Sequence, residues 1–295
     1  MLKKISVVIL MVAMLLSLTA CGNADENKGE FLSYTDGYGD VTVLETKPEK
    51  IISLSPNITE VLCDLGLESK IIGRTDYCDY PETIISIESV GDISAPNMEL
   101  IISLKPDVVI TDGMQQKEFV YSLRNVGIKV ICLRANASLE GTYEIIEDAG
   151  KITGTEEKAN VIISEMKAEI VSLKERVKDV EKKKVYYSIS NYGGLYTSGA
   201  GTYIDELLKT AGLINIAEDM EGWTYSLEKL YENNPEIIIC SMYYNAKDDL
   251  INDETLKDLT AIKEGKIIEI DNNQLDRQSK RNVDGIKELI EKIYE

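Results

Sequence analysis

Two stretches of the chain repeat one pattern of apolar and polar positions. Residues 99–110 read Glu-Leu-Ile-Ile-Ser-Leu-Lys-Pro-Asp-Val-Val-Ile, and residues 228–239 read Glu-Lys-Leu-Tyr-Glu-Asn-Asn-Pro-Glu-Ile-Ile-Ile. In each copy a short amphipathic stretch is stopped by proline, which predicts a short helix. The apolar β-branched run after the acidic residue predicts a strand buried on both faces of a parallel sheet. Two copies of this unit indicate two similar lobes.

Other predicted elements also occur in pairs, with one member in each half of the chain. Their alternation of strands and helices predicts an α/β fold, with a central, mostly parallel sheet flanked by helices in each lobe. The Ser55-Pro56 pair is typical of a helix start, with serine as the cap and proline in the first turn. The paired segments are 51–54 with 185–189, 56–65 with 203–211, and 129–133 with 266–270.

A long amphipathic segment separates the two halves. Residues 156–182 contain no glycine or proline and carry apolar residues at spacings of three and four. This pattern predicts one helix of about 40 Å, at about 1.5 Å per residue. As a strut between the lobes, such a helix would restrict hinge motion. A coiled-coil helix for oligomerisation is the alternative, although we expect a monomer.

The N-terminus has the layout of a secretory signal. Lys3 and Lys4 precede an apolar run over 5–18, followed by small residues and Cys21. The run is shorter than the roughly 20 residues that a spanning helix needs. Residues 18–22, Leu-Thr-Ala-Cys-Gly, resemble the lipobox of bacterial lipoproteins, which implies cleavage before Cys21 and lipidation of its thiol. An uncleaved signal anchor with an incidental cysteine is the alternative.

These patterns divide the chain into five parts. We expect an exported protein, lipid-anchored to the outer face of the cell membrane, and this arrangement favours a Gram-positive envelope. The predicted parts are a signal peptide at 1–20, a lipid-anchored tether and first strand region at 21–45, an N-terminal lobe at 46–150, a connecting helix at 151–183 and a C-terminal lobe at 184–295.

Charge and composition exclude several classes of function. The chain has 51 acidic and 32 basic residues, a net charge of −19, so nucleic acid is a poor partner. Without histidine or paired Cys-x-x-Cys spacing, the sequence predicts no metal site. Cys63, Cys132 and Cys240 lie in apolar runs, which indicates buried free thiols.

The same absences argue against catalysis. The chain lacks a histidine for general-base work, a Gly-x-Ser-x-Gly elbow and a Gly-Lys-Ser/Thr phosphate loop. We therefore predict that the protein is not an enzyme and holds no catalytic cofactor. A membrane-anchored enzyme that acts on a corrinoid or a glycan is the alternative from a different class.

Four segments resemble the solute-binding proteins of iron-siderophore, haem and vitamin B12 importers of the ATP-binding-cassette (ABC) type. The resemblance covers residues 31–295 and is carried by 50–60, 76–81, 104–110 and 277–285. The Asp-Tyr-Cys-Asp-Tyr-Pro loop at 76–81 looks most like the cobalamin-binding members. The resemblance implies the class III periplasmic-binding-protein fold, with two lobes joined by one long rigid helix. It also implies a membrane permease with its ATPase as the partner.

The resemblance assigns a docking role to the repeated glutamates. In the family, one glutamate on each lobe binds arginines of the permease, and Glu99 and Glu228 match those positions by motif. Two copies of one motif would also present equivalent carboxylates to a two-fold permease. The simpler interpretation is that each glutamate is favoured by the dipole of the helix that it begins, and both roles are compatible.

Ligand contacts are expected in loops that follow the strands, because open parallel sheets bind ligands beyond their carboxyl ends. The chain has 16 Tyr but only 2 Phe and 1 Trp, and many tyrosines fall in such loops. Trp223 matches an aromatic residue of the cobalamin cleft in relatives, with a core position as the alternative. Arg277 and Arg281 either contact the ligand or brace a loop. The predicted ligand-binding residues are Tyr77, Asp79, Tyr80, Asn97, Tyr192, Trp223, Tyr243, Arg277 and Arg281.

An aromatic cleft with few charges favours a corrinoid. Tyrosine offers apolar area with a polar tip, which suits a flat ring edged with amides. Anionic ferric siderophores usually require clusters of arginine. Haem is the other alternative and would need Tyr or Met as its axial ligand, because the chain has no histidine. The predicted function is capture of cobalamin or a related corrinoid for an ABC importer.

Overall fold

The computed structural model describes residues 29–220 and 222–295. The predicted signal peptide, the lipidation site Cys21 and most of the predicted tether lie outside the described residues. Within them, no helix is both long and apolar enough to cross a membrane.

The N-terminal lobe is built around a parallel sheet. Single 3₁₀ turns at Glu68–Lys70 and Glu82–Ser86 interrupt its loops. The elements of this lobe are β1 Leu32–Thr35, β2 Val41–Leu44, β3 Ile51–Ser53, α1 Pro56–Asp64, β4 Ile71–Arg74, β5 Gly91–Asp92, β6 Ala95–Pro96, α2 Met98–Leu104, β7 Val108–Thr111, α3 Lys117–Asn125, β8 Val130–Cys132 and α4 Leu139–Thr153. The sheet has the order β4-β3-β7-β8 with every pair parallel, while β1-β2 and β5-β6 are antiparallel ribbons.

The C-terminal lobe repeats this plan. The connecting helix α5 spans Glu156–Arg176 and precedes this lobe. The elements of the lobe are β9 Lys184–Ser188, β10 Leu195–Tyr196, α6 Tyr203–Thr210, β11 Ile214–Asn215, β12 Thr224–Tyr225, α7 Leu227–Asn233, β13 Ile237–Ser241, α8 Ala246–Asn252, α9 Thr260–Lys263, β14 Ile267–Ile270, α10 Asn273–Asp276 and α11 Asn282–Tyr294. The sheet order β11-β9-β13-β14 is parallel throughout and matches the N-terminal order position by position. The predicted α/β architecture with two similar lobes is confirmed.

The central strands are apolar because helices cover both faces of each sheet. Every residue of β3, β7 and β8 is buried, as expected for strands in a parallel sheet. One face of each sheet packs into a shared core that includes Ile51 of the first lobe, Met166 of α5 and Ile239 of the second lobe. The outer faces form separate cores. The shared core therefore joins the lobes through apolar packing.

The connecting helix is shorter than the sequence predicted. Gly154, with φ +66°, ends α4, and α5 runs from Glu156 to Arg176, ending before the predicted Lys182. Its length is about 32 Å at about 1.5 Å per residue. The buried stripe of α5 packs against α4 and α11 of the same chain. A coiled coil would need that stripe to be free, so the structure argues against this alternative.

The repeated motif also repeats its hydrogen bonds. Asp107 Oδ2 accepts a hydrogen bond from Lys50 N at 2.9 Å, just before β3 begins. In the second copy, Glu236 Oε1 accepts one from Lys184 N at 3.1 Å, where β9 begins. The acidic residue after each proline therefore joins the strand that follows it, β7 or β13, to the start of the neighbouring strand, β3 or β9.

Candidate ligand-binding cleft

A cleft of about 780 Å³ lies between the two lobes. Its walls come from loops that follow β3, β4, β7 and β8 and from residues 273–278 after β14, so it lies at the carboxyl ends of both sheets. This is the position where open parallel sheets bind ligands. The lining residues are Ser55, Pro56, Asn57, Tyr77, Asp92, Ile93, Ser94, Asp112, Gly113, Met114, Leu133, Arg134, Ala135, Ile145, Asn273, Asp276, Arg277 and Gln278.

A partly buried acid forms part of the N-terminal wall. Asp112 Oδ2 accepts a hydrogen bond of 2.6 Å from Ser55 Oγ, and its Oδ1 accepts one of 2.9 Å from Met114 N. Burial raises the pKa of Asp112 above its usual range, although the bond from Ser55 opposes the shift. Ser55 occupies the cap position of α1 but makes no side-chain cap bond. The predicted helix start at Ser55-Pro56 is therefore confirmed, but the Ser55 hydroxyl bonds to Asp112 and not to the helix backbone.

Arg134 follows β8 and provides a cation in the cleft. Its side chain is exposed and lines the cavity. Among residues 29–220 and 222–295, no acidic side chain forms an ion pair with its guanidinium group. Arg134 is therefore available to an anionic group of a ligand.

A buried carboxylate joins the two lobes beside the cleft. Glu60 of α1 is 1% exposed. Its Oε1 accepts hydrogen bonds from Arg277 Nη1 at 2.9 Å and Arg281 Nη1 at 3.1 Å. Its Oε2 accepts one from Ser279 Oγ at 2.6 Å. All three donors belong to the C-terminal lobe, so this network holds the lobes together.

Both arginines have second protein partners. Arg277 Nη1 also contacts Asp79 Oδ1 at 2.6 Å, and Arg281 Nη2 pairs with Asp271. The guanidinium carbon of Arg281 lies 4.0 Å from the ring centroid of Tyr80, a cation–π contact. Burial lowers the pKa of Arg277, but its bonds to Asp79 and Glu60 outweigh burial and raise it. In this structure, Arg277 and Arg281 therefore brace the lobes, together with the predicted site residues Asp79 and Tyr80.

The predicted aromatic residues lie in loops at the carboxyl ends of strands. Tyr77 lines the cleft after β4, and Tyr192 is exposed after β9. Tyr243 follows β13 and donates a hydrogen bond of 3.2 Å to Asp271. Trp223 is 59% exposed, and its carbonyl accepts a hydrogen bond from Thr197 N at 2.9 Å. A core position for Trp223 is therefore excluded.

Asn97 lies at the start of α2, outside the cleft lining. Its Oδ1 accepts a hydrogen bond of 3.1 Å from Leu100 N, so the side chain caps the helix. Ser226 Oγ likewise accepts a hydrogen bond from Lys229 N at the start of α7. Asn97 thus has a structural role here that explains its position in the repeat.

Glu99 and Glu228 occupy equivalent positions on the two lobes. Each lies in the first turn of its helix and is exposed. Each helix then ends at a left-handed residue, Lys105 with φ 50° or Asn234 with φ 37°. The favourable interaction with the helix dipole holds for both carboxylates. The lobes therefore present the two carboxylates in matching local structures.

Sequence reasoning missed most polar residues of this region, among them Ser55, Asp112, Arg134 and Glu60. Ser55, Asp112 and Arg134 each follow a buried strand, and the rule that drew attention to aromatic residues there applies equally to polar ones. Glu60 carries a weaker signal, a carboxylate within the apolar face of a predicted helix. Such a charge is almost never buried without a partner, which would have predicted a buried ion pair.

Comparison with known proteins places the chain in a family. Residues 51–274 match the family described as periplasmic binding protein. The chain is 30% identical to an ABC transporter substrate-binding lipoprotein of Bacillus subtilis, over 94% of this chain and 93% of the relative. It is 24% identical to the cobalamin-binding protein of Halobacterium salinarum, over 84% of this chain and 70% of the relative.

A solved structure supports the same assignment. The chain resembles a possible iron-binding, periplasmic solute-binding protein of Staphylococcus epidermidis, with a TM-score of 0.75 and 28% identity, over 85% of this chain and all (100%) of the other. The resemblance inferred from sequence motifs is thereby confirmed. With its interlobe cleft and two parallel sheets, the chain belongs to the periplasmic binding protein family, as a solute-binding protein of the ABC importer type.

Proposed function

We propose that this protein captures cobalamin or a related corrinoid in the interlobe cleft and delivers it to an ABC importer permease with its ATPase. One observation carries the proposal. Among the described residues, most exposed aromatic side chains lie in loops that follow strands of the two parallel sheets, the side on which open parallel sheets bind ligands, and Tyr77 lines the cleft itself. They are Tyr77, Tyr80, Tyr192, Trp223, Tyr243 and Tyr244.

The chemistry of these loops suits a flat, amide-edged ring. Aromatic side chains give a corrin ring a broad apolar surface, and tyrosine hydroxyls add hydrogen bonds at its edge. Ser55 and Asn57 line the cleft with further groups that bind amides. Because Arg277 and Arg281 are held by protein carboxylates, the cleft lacks the arginine cluster that suits a strongly anionic ligand.

Delivery would use the membrane anchor and the paired glutamates. We propose that lipid on Cys21 holds the protein at the outer face of the cell membrane, in a Gram-positive envelope. Glu99 and Glu228 would then dock on basic residues of the permease, one from each lobe. Their exposure and equivalent helix positions support this role.

A ferric siderophore or haem is the second candidate. Arg134 is free to pair with a ligand carboxylate, and Tyr77 and Met114 line the same cavity with side chains that can ligate haem iron. The iron-related description of the Staphylococcus epidermidis structure favours this candidate as well. No enzymatic role is proposed, because the family consists of substrate-binding proteins.

Calorimetric titration distinguishes these ligands. The purified protein is titrated with cyanocobalamin, cobinamide, haemin, and ferric catecholate and hydroxamate siderophores. We expect one corrinoid per chain, a red protein band after gel filtration, and recovery of the corrinoid chemically unchanged. Binding of haemin or a siderophore without any corrinoid binding would replace the first candidate by the second. Chemical conversion of the ligand would instead indicate an enzyme.

A further inference from the structure

The helices that carry Glu99 and Glu228 repeat one pattern of exposure, position by position. Ile101 of α2 and Leu230 of α7 are equivalent, and both are completely buried. Around them the same positions face solvent in each copy, namely 97, 99, 102, 103 and 105 at α2, and 226, 228, 231, 232 and 234 at α7. The sequence repeat therefore extends to the surface that each lobe presents.

Each exposed face combines the glutamate with one apolar side chain. Ile102 lies three positions after Glu99, and Tyr231 lies three positions after Glu228. Residues three apart share one face of a helix. Ile102 is 38% exposed and Tyr231 is 36% exposed. A carboxylate and an apolar side chain are therefore neighbours on each lobe.

These two apolar side chains do not contribute to the cores of the protein. Among residues 29–220 and 222–295, neither Ile102 nor Tyr231 packs into an apolar core. A single exposed apolar residue is common on protein surfaces and needs no explanation. Here, however, it recurs at the same position of both copies, and the next position is polar in each, Ser103 or Glu232. The recurrence indicates that the surface itself has a function.

Tyr231 is held in place by contacts within its own lobe. Its hydroxyl donates a hydrogen bond of 2.7 Å to Thr255 O. The end of α7 is fixed as well, because Asn234 Nδ2 donates one of 2.8 Å to Thr260 Oγ1. An ordered side chain loses little conformational freedom on binding. Tyrosine is also among the residues that contribute most to protein interfaces.

We propose that Ile102 and Tyr231 extend the docking surface of the two lobes, and that each packs on an apolar surface of the permease beside the basic residue that the glutamate binds. This inference rests on the proposed function and adds an apolar contact to each docking glutamate. A two-fold permease presents such a site twice, once for each lobe.

Charge favours the permease over a second copy of this chain. A symmetric contact between two copies uses the same surface on both. It would bring glutamate against glutamate in a chain with a net charge of −19, and such like-charge contacts are costly. A partner surface with a cation next to an apolar side chain matches both parts of each face.

Uptake by cells at graded amounts of binding protein tests the inference. Cells that lack their own copy express the full chain or the double variant Ile102→Ser/Tyr231→Ser, and uptake of labelled cyanocobalamin is measured. Haemin replaces cyanocobalamin if calorimetry detects only haemin binding. The amount of protein needed for half-maximal uptake should rise about 10-fold in the double variant, a typical cost of truncating interface anchors. Maximal uptake and ligand affinity should stay unchanged, because neither residue lines the cleft.

Two further variants separate docking from structural effects. Val171→Ser alters a 68% exposed apolar residue of α5, outside the repeat, and should leave uptake unchanged. Serine has a helix propensity similar to those of valine, isoleucine and tyrosine, so the helices should persist. Tyr231→Phe should recover most of the docking lost in Tyr231→Ser, since it restores the ring without the bond to Thr255.

The outcomes separate this inference from the proposed function. If the double serine variant takes up ligand normally while Glu99→Ala/Glu228→Ala abolishes uptake, the role of Ile102 and Tyr231 is overturned and docking by the glutamates stands. The reverse result supports the apolar contacts and overturns docking by the glutamates. No uptake by the unaltered protein of any ligand that it binds overturns both.

Three other results would also overturn the inference. One is a loss of ligand affinity in the double serine variant, and another is an equal effect of Val171→Ser. The third is a dimer of the unaltered protein in gel filtration that Ile102→Ser/Tyr231→Ser converts to a monomer, because a second copy would then cover these residues.

Discussion

Glu60 and Arg277 are joined across the two lobes by a 2.9 Å hydrogen bond between Glu60 Oε1 and Arg277 Nη1. Glu60 is buried in α1, and the same oxygen also accepts from Arg281 at 3.1 Å. A buried carboxylate is costly without a charged partner. Separation of the lobes would strip Glu60 of both cations, so the network favours one lobe spacing.

Replacement of Glu60 by glutamine should destabilise the protein. The amide keeps the shape of the side chain but leaves Arg277 and Arg281 without their shared anion. Loss of one partner of a buried ion pair costs about 3–5 kcal/mol. We expect about 2 kcal/mol here, because each arginine keeps a second carboxylate, Asp79 or Asp271. Urea denaturation measures the change in the free energy of unfolding.

Glu165→Gln is the matched control for this prediction. Glu165 pairs with Lys280 at 3.2 Å. Lys280 lies in the same segment as Arg277 and Arg281, but both side chains of this pair are exposed. Exposed pairs contribute about 0–1 kcal/mol. Equal losses in the two variants would show that burial of Glu60 adds nothing to the strength of the network.

Much of the fold was predictable because it is encoded locally and twice. The proline-acid-strand unit around Asp107 recurs around Glu236, and in each case the acid bonds to the start of the central strand. The end of α5 was not predictable, since apolar spacing continues through Val180 although the helix stops at Arg176. Helix ends depend on caps and tertiary packing as well as on periodicity.

The site was predictable where it follows from strand ends and not where it depends on distant pairing. The loop that carries Tyr77 follows β4 and lines the cleft, whereas Trp223 is exposed and is not among the residues that line it. The partners of Arg277 and Arg281 were not predictable, because Glu60 is remote in sequence and only the lobe arrangement brings it near. Such contacts leave no periodic pattern in the chain.

Replacement of both Glu99 and Glu228 by alanine should abolish ligand uptake by cells while leaving affinity for the ligand intact. Both carboxylates are exposed, and neither lines the cleft, so their proposed role concerns only the permease. The measurement pairs uptake of labelled cyanocobalamin with calorimetry of the purified variant.

Glu118→Ala is the control for the docking prediction. Glu118 is also an exposed glutamate in the first turn of a helix, α3, but it lies outside the repeat. Its removal should cost the same small helix-dipole energy, about 0.3–1 kcal/mol, without affecting uptake. Normal uptake by the double variant would mean that these glutamates serve only their helices.

Asp64 should make stability depend on pH. Burial raises its pKa to about 6, from an ordinary value of 3.8. An acid with a raised pKa stabilises the fold below about pH 4, and this contribution is lost as the pH rises through 6. Asp64→Asn should therefore match the unaltered protein at pH 4 and exceed its unfolding free energy by about 1–2 kcal/mol at pH 8, allowing for solvent screening.

Asp258→Asn is the control for the Asp64 prediction, because the pKa of Asp258 is shifted in the opposite direction. A hydrogen bond from Lys263 lowers the pKa of Asp258, so its contribution is lost as the pH falls. This exposed variant should show no gain at pH 8. A gain of equal size in both variants would mean that reduced negative charge, and not burial of Asp64, accounts for the effect.

Emission from Trp223 should report ligand binding directly. The chain has 1 Trp, and this side chain is 59% exposed in the loop that directly precedes β12, so the whole tryptophan signal comes from one position. A corrinoid absorbs strongly across the emission range of tryptophan, and a bound ring should quench most of it by energy transfer. Titration with cyanocobalamin should saturate at one ligand per chain, after correction with free N-acetyltryptophanamide for absorbed light.

Trp223→Phe should remove the signal while calorimetry still detects binding. Unchanged emission under conditions where calorimetry shows saturation would place the ligand far from Trp223 and remove this residue from the proposed site.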